Sequence, residues 1–181
     1  MLTYEMKDNT LIQMKKPIPI ICTHTQEQIG VIQRVYKFRF QPVLEMLLGF
    51  SLFENVVAKD MSNKVMVQIR TRYKEKYDFV RKRWEMISTS NNRATPILIS
   101  DHSVIKTNPR ITLELPGKLE ISRNLLNSKT YFKYNGEIIS VTYPDKSPLS
   151  LNLFIDLEED SILTIYEVAC IYYSLKMSGV L

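Results

Sequence analysis

The chain has 181 residues, 45% of them hydrophobic and 24% charged, with a formal net charge of +5. That length suits one domain spanning 1–181, and the apolar fraction supports a packed core rather than intrinsic disorder. Five widely separated glycines exclude a Gly-rich dinucleotide loop and a P-loop, while two histidines and two cysteines leave almost nothing for a metal site or a disulfide framework. No metal, cofactor or catalytic residue is expected.

Met1–Lys16 carries acidic residues early and no apolar core segment, unlike a secretory signal. A cytoplasmic location, with the membrane periphery open to it, is the expectation. Ile18–Thr23 and Ile29–Tyr36 are β-rich runs joined by a polar stretch at His24–Gln28. Cys22 and, much later, Cys170 sit among apolar neighbours and read as inert core thiols. Gln41–Phe53 (QPVLEMLLGFSLF) is too apolar for an exposed loop and suits a short helix or a hydrophobic flap.

Further along, Val56–Lys59 and Val65–Tyr73 flank a small polar turn at Asp60–Asn63, and Trp84–Thr89 and Thr95–Ser100 flank Ser90–Arg93. His102 lies in Asp101-His102-Ser103, but neighbours on a chain do not converge on one reacting atom, and no GxSxG elbow is present. Hydrolase chemistry is therefore not supported. Ile111–Leu115 and Lys118–Ser122 surround Pro116-Gly117; Thr130–Tyr134 and Glu137–Tyr143 surround Asn135-Gly136, a strong hairpin signal. Leu149–Leu157 supplies one more strand, making about eleven in hairpin order and a mainly antiparallel sheet.

The C-terminal stretch differs. Asp160-Ser161 reads as a helix N-cap, and from Ile162 to Met177 (ILTIYEVACIYYSLKM) only Thr164, Glu167, Ser174 and the terminal Lys176 are polar. The central positions Ile162, Leu163, Ile165, Tyr166, Val168, Cys170, Ile171 and Leu175 surround Glu167 on all sides of a helix of roughly 25 Å. A helix apolar all round is either a membrane span or enclosed by protein. The span would need about 18 apolar residues with few charges, and Glu167 interrupts this one. A barrel of strands around the helix (160–177) is the expected arrangement, with Glu167 needing a partner or a raised pKa there.

The order of features resembles the tubby C-terminal fold shared by LURP-one-related proteins and phospholipid scramblases. The likeness rests on Asn55–Arg72 (NVVAKDMSNKVMVQIRTR), Lys133–Tyr143 (KYNGEIISVTY), Leu149–Asp156 (LSLNLFID) and the acidic cap and helix that follow. It implies a mainly β fold, a closed antiparallel barrel of about twelve strands around a hydrophobic C-terminal helix, with a core from about 18 to 177. The scramblases' proline-rich arm and cysteine cluster are absent, and no EF-hand calcium loop is present. The phosphoinositide-binding positions of tubby proteins do not map onto single residues here.

Charge is unevenly placed. Lys59–Arg83 holds nine Lys and Arg against three acids, a local +6 that exceeds the +5 of the whole chain. As a strand, the run Arg70, Arg72, Lys74, Lys76 presents four cations on one face, followed by Arg81, Lys82 and Arg83. Such a row suits lipid headgroups or a solvated edge that discourages pairing. With the resemblance, it points to a non-enzymatic module for an anionic membrane surface. The alternative is a structural or regulatory module that binds a protein partner or, inside the barrel, an apolar ligand. Nucleic acid is not expected as a partner.

Overall fold

The computed structural model describes residues 1–7, 16–48, 55–72, 82–89, 95–103, 109–124, 126–147 and 150–181. The described strands are β1 (Leu2–Lys7), β2 (Ile18–Cys22), β3 (Gln28–Arg34), β4 (Asn55–Asp60), β5 (Val65–Arg72) and β6 (Arg83–Ser88). They continue as β7 (Ile97–Asp101), β8 (Arg110–Leu115), β9 (Gly117–Asn124), β10 (Lys129–Tyr134), β11 (Glu137–Pro144) and β12 (Asn152–Leu157). Two helices accompany them, α1 (Gln41–Leu48) between β3 and β4 and α2 (Ile165–Met177) at the end. Each strand pairs antiparallel with its neighbours in sequence, and β1 pairs with β12 to close the barrel. The expected fold class is therefore observed.

Period-two alternation explains the wall. Val67 and Ile69 of β5 point inward opposite Ser88 and Met86 of β6, while Gln68, Arg70 and Arg72 point outward. Asn135 (φ 50°) and Gly136 (φ 92°) form the β10–β11 turn with both residues in the left-handed region, as the Asn-Gly pair requires. The strand that closes the barrel, β1, lies outside the runs recognised in the sequence. Its apolar positions still alternate, with Tyr4 and Met6 buried in the core on the N-terminal side of residue 18.

The interior is filled by α2, whose residues from Val168 to Leu175 are all buried. The helix begins later than the sequence suggests. Its N-cap is Thr164 rather than Asp160-Ser161, so Ile162 and Leu163 precede the helix, Leu163 buried and Ile162 packed on the core. The reason is a capping box. Glu167 Oε2 accepts the backbone N–H of Thr164 at 2.7 Å, and Thr164 Oγ1 accepts the N–H of Glu167 at 3.3 Å. The fully buried Glu167 is thus held by the positive first turn of its own helix. Ser161 instead bonds the N–H of Leu163 at 3.2 Å within the preceding turn.

Where α2 meets β3, a glycine makes the approach possible. Tyr166 donates its hydroxyl to the carbonyl of Ile29 at 2.8 Å, laying its ring beside Gly30. A Cβ at Gly30 would stand 2.3 Å from the Lys59 carbonyl oxygen and 2.7 Å from Tyr166 Cε1. The first of these neighbours is backbone and cannot swing aside. Gly30→Ala is accordingly expected to destabilise the barrel by roughly 1–3 kcal/mol, read from the urea midpoint. An unchanged midpoint would show that the β3–β4 wall shifts freely there.

Candidate functional site: a basic rim

Antiparallel order sorts the barrel's connections between two ends. The odd-numbered strands finish, and the even-numbered strands begin, at one rim: Arg34 of β3 pairs with Val56 of β4, and Arg72 of β5 with Arg83 of β6. The C-terminal end of α2 reaches the same rim, where Lys82 Nζ donates to the Ser178 carbonyl at 2.9 Å. The opposite rim holds the tight hairpin turns and the start of α2.

The two rims differ in charge. Around the first stand Lys7, Lys16, Arg34, Lys37, Arg39, Arg72, Lys82, Arg83, Arg110, Lys129 and Lys146, with Asp101, Asp145 and the buried Glu45 the acids among the described rim residues. The second rim carries Glu27, Asp60, Glu114, Glu137, Glu158, Glu159 and Asp160, with Lys59, Lys64, Lys118 and Lys133 as counterweights. Some of these acids are engaged locally. Asp60 Oδ1 accepts from Ser62 Oγ at 2.7 Å and from the N–H of Lys64 at 2.9 Å, which holds its carboxyl below the usual range.

The basic residues singled out in the sequence fall as follows. Arg70 and Arg72 share the outward face of β5, as alternation predicts. Glu85 on β6 lies between them, 3.0 Å from Arg70 Nη2 and 4.0 Å from Arg72 Nε. Although it points outward, Glu85 is buried beneath these guanidinium groups. Arg83 stands directly opposite Arg72, a like-charge pair that is unfavourable in isolation. Lys82 serves the C-terminal end of α2, where cations complement the helix dipole. Lys74, Lys76 and Arg81 lie outside the described residues. Trp84 is fully buried in the core, so it offers no stacking surface.

One cluster at this rim escaped the sequence reading. Arg34 ends β3 on the inward face, in line with Gly30 and Ile32, and is only 7% exposed. Its Nη2 donates to both carboxylate oxygens of Glu45 at 2.8 and 2.7 Å. Gln41, one helical turn before Glu45, donates Nε2 to Glu45 Oε1 at 2.7 Å and accepts the Lys37 N–H at 2.8 Å. Tyr36 lies beneath the guanidinium, 4.8 Å from ring centroid to Arg34 Cζ. The available signal was a cation on the inward side of a strand, followed by Gln and Glu at i and i+4 of a helix.

Neither cysteine offers a catalytic thiol. Cys170 is fully buried against α2's neighbours, and burial pushes its thiol far up. Cys22, at the margin of the core, is held below its ordinary value first by the N–H and hydroxyl of Thr25 and then by the backbone N–H of His24. No group of His, Cys, Asp or Glu among the described residues is placed to hold a metal. No helix among them is long and apolar enough to cross a membrane.

A closed twelve-stranded barrel threaded by a C-terminal helix, with its charges divided between two rims, defines the class of protein. A family model described as the Tubby C-terminal like domain matches residues 4–178, nearly the whole chain. The chain belongs to that family. No curated protein and no solved structure matches it.

Proposed function

We propose that this tubby-like barrel is a non-enzymatic module that docks on anionic phospholipid headgroups through its basic rim and the adjoining outward face of β5–β6. The observation that carries the reading is the division of charge, cations at one rim and acids at the other. A body polarised in this way orients end-on to a negative surface. Near such a surface each Lys or Arg contributes about 1 kcal/mol at low salt, and the effect fades beyond a Debye length. The sequence between β5 and β6 also carries Lys74, Lys76 and Arg81, which lie outside the described residues.

Co-sedimentation with phosphatidylcholine vesicles, with and without phosphatidylserine, tests the proposal. Wild-type protein should pellet only with the anionic vesicles, and added salt should release it. Arg70→Gln/Arg72→Gln/Lys74→Gln/Lys76→Gln should lower binding by about tenfold or more. Because Glu85 leans on Arg70, a companion variant, Lys74→Gln/Lys76→Gln/Arg83→Gln, leaves that pair intact. Pelleting that ignores lipid charge, or both variants binding as wild type, would overturn the reading.

A further inference from the structure

Helix α1 is mounted with its polar side inward. Gln41 and Glu45 are buried and bonded to Arg34, whereas Phe40, Val43 and Leu47 are 66%, 56% and 75% exposed. Leu48 and Val35 are exposed as well. Phe40, Val43 and Leu47 are spaced at i, i+3 and i+7, so they form one stripe. A helix on a globular body ordinarily turns its apolar stripe to the core. A contiguous exposed apolar patch of this kind marks a contact surface.

The charges around the patch say what it contacts. Between Val35 and Leu48 the cations besides Arg34 are Lys37 and Arg39, both exposed, and the single acid, Glu45, is buried. The outward side of this segment is therefore apolar and positive, with no exposed acid. That combination suits the headgroup–acyl boundary of an anionic bilayer, where apolar side chains insert shallowly and flanking cations meet phosphate. A second copy of the chain fits less well. A two-fold interface here would bring Lys37, Arg39 and the whole basic rim against themselves.

Continuity supplies the second argument. α1 lies between the C-terminal end of β3 and the N-terminal end of β4, at the same rim as Arg72, Lys82 and Arg83. We infer that α1 is an insertion element, which pushes Phe40, Val43 and Leu47 into the outer part of an anionic bilayer while the basic rim holds the headgroups. This rests on the membrane reading above but assigns a different part of the chain, and a different force, to the contact.

Two measurements on the full-length chain test it. The variant L47W places an indole on the stripe; with vesicles of phosphatidylcholine and phosphatidylserine, its emission should shift to the blue and be quenched by lipids brominated on the acyl chain. Native Trp84, fully buried in the barrel, serves as the unquenched internal control. Val43→Gln/Leu47→Gln should fold as wild type, since both side chains face water, yet lose about tenfold in vesicle binding without changing its salt dependence. Wild type that pellets with anionic vesicles while L47W stays unquenched and Val43→Gln/Leu47→Gln binds normally overturns the insertion and leaves headgroup docking standing. Wild type that pellets with neither vesicle overturns both. A wild-type dimer in solution that Val43→Gln/Leu47→Gln converts to monomer also overturns it, in favour of a second copy on the patch.

Discussion

Deleting residues 161–181 is expected to leave an insoluble chain with no cooperative unfolding transition. The buried positions of α2 include Ile165, Val168, Ala169, Cys170, Ile171, Tyr172, Tyr173 and Leu175, and they pack chiefly on the inward faces of β4 and β5. Each large apolar side chain so buried contributes roughly 1.5–3 kcal/mol, and a handful equals the net stability of about 5–15 kcal/mol typical of a domain. Strands of a barrel this wide cannot reach across to fill the vacated interior with their own side chains. The inward faces would then offer apolar surface to other chains. A graded companion keeps the test informative: Ile171→Ala alone should cost about 2–5 kcal/mol in a urea melt. A soluble deletion fragment that melts cooperatively, or an Ile171→Ala midpoint equal to wild type, would contradict a helix that serves as the core.

The same helix shows what could and could not be read from residues alone. Its enclosure followed from composition, because an apolar surface on every side, interrupted by Glu167, has no other stable place outside a membrane. Its starting point did not follow, because Asp160-Ser161 and Thr164-x-x-Glu167 are both plausible caps. The latter wins by satisfying two backbone donors reciprocally while giving a buried carboxylate its partner. Hairpins with Asn-Gly or Pro-Gly turns were legible for a similar reason: the turn chemistry fixes the register locally. β1 was not, since its partners β12 and β2 are distant or separated from it by a long connection. Leu2, Tyr4 and Met6 alternate as clearly as any other strand, and only barrel closure decides that they pair.

The candidate site was legible in charge but not in placement. That Lys59–Arg83 concentrates the positive charge is a property of the sequence. That Lys37, Arg39, Arg110 and Lys129 join it at one rim depends on strand direction, which no local pattern reports. Gln41–Phe53 was recognisable as too apolar for a loop, and its first part is α1. Which way that helix faces is decided by Arg34, seven residues before it. A cation at the inward end of β3 draws Gln41 and Glu45 toward the barrel and leaves Val43 and Leu47 outside.

Glu45→Ala is expected to lower stability by about 3–5 kcal/mol, far more than a surface ion pair would. Arg34 and Glu45 are 7% and 8% exposed, and the guanidinium donates to both carboxylate oxygens within 2.8 Å. Removing the acid strips a buried cation of that carboxylate while its desolvation cost remains. Replacing both groups by apolar ones of similar size removes the cost along with the attraction. Arg34→Met/Glu45→Leu should therefore recover most of the loss, and the double-mutant cycle should give a coupling of several kcal/mol. Urea midpoints of the four proteins measure it. If Glu45→Ala costs less than about 1 kcal/mol, the pair is solvated like a surface bridge and does not fix the helix. The rescued double variant is also informative about the membrane contact. It keeps the barrel stable but gives α1 an apolar side chain on each face, so of the polar cluster only Gln41, bonded to the Lys37 N–H, is left to specify which stripe turns outward. Its vesicle binding should fall below wild type at equal stability, because orientation of the stripe, rather than its composition, is what Arg34 and Glu45 supply.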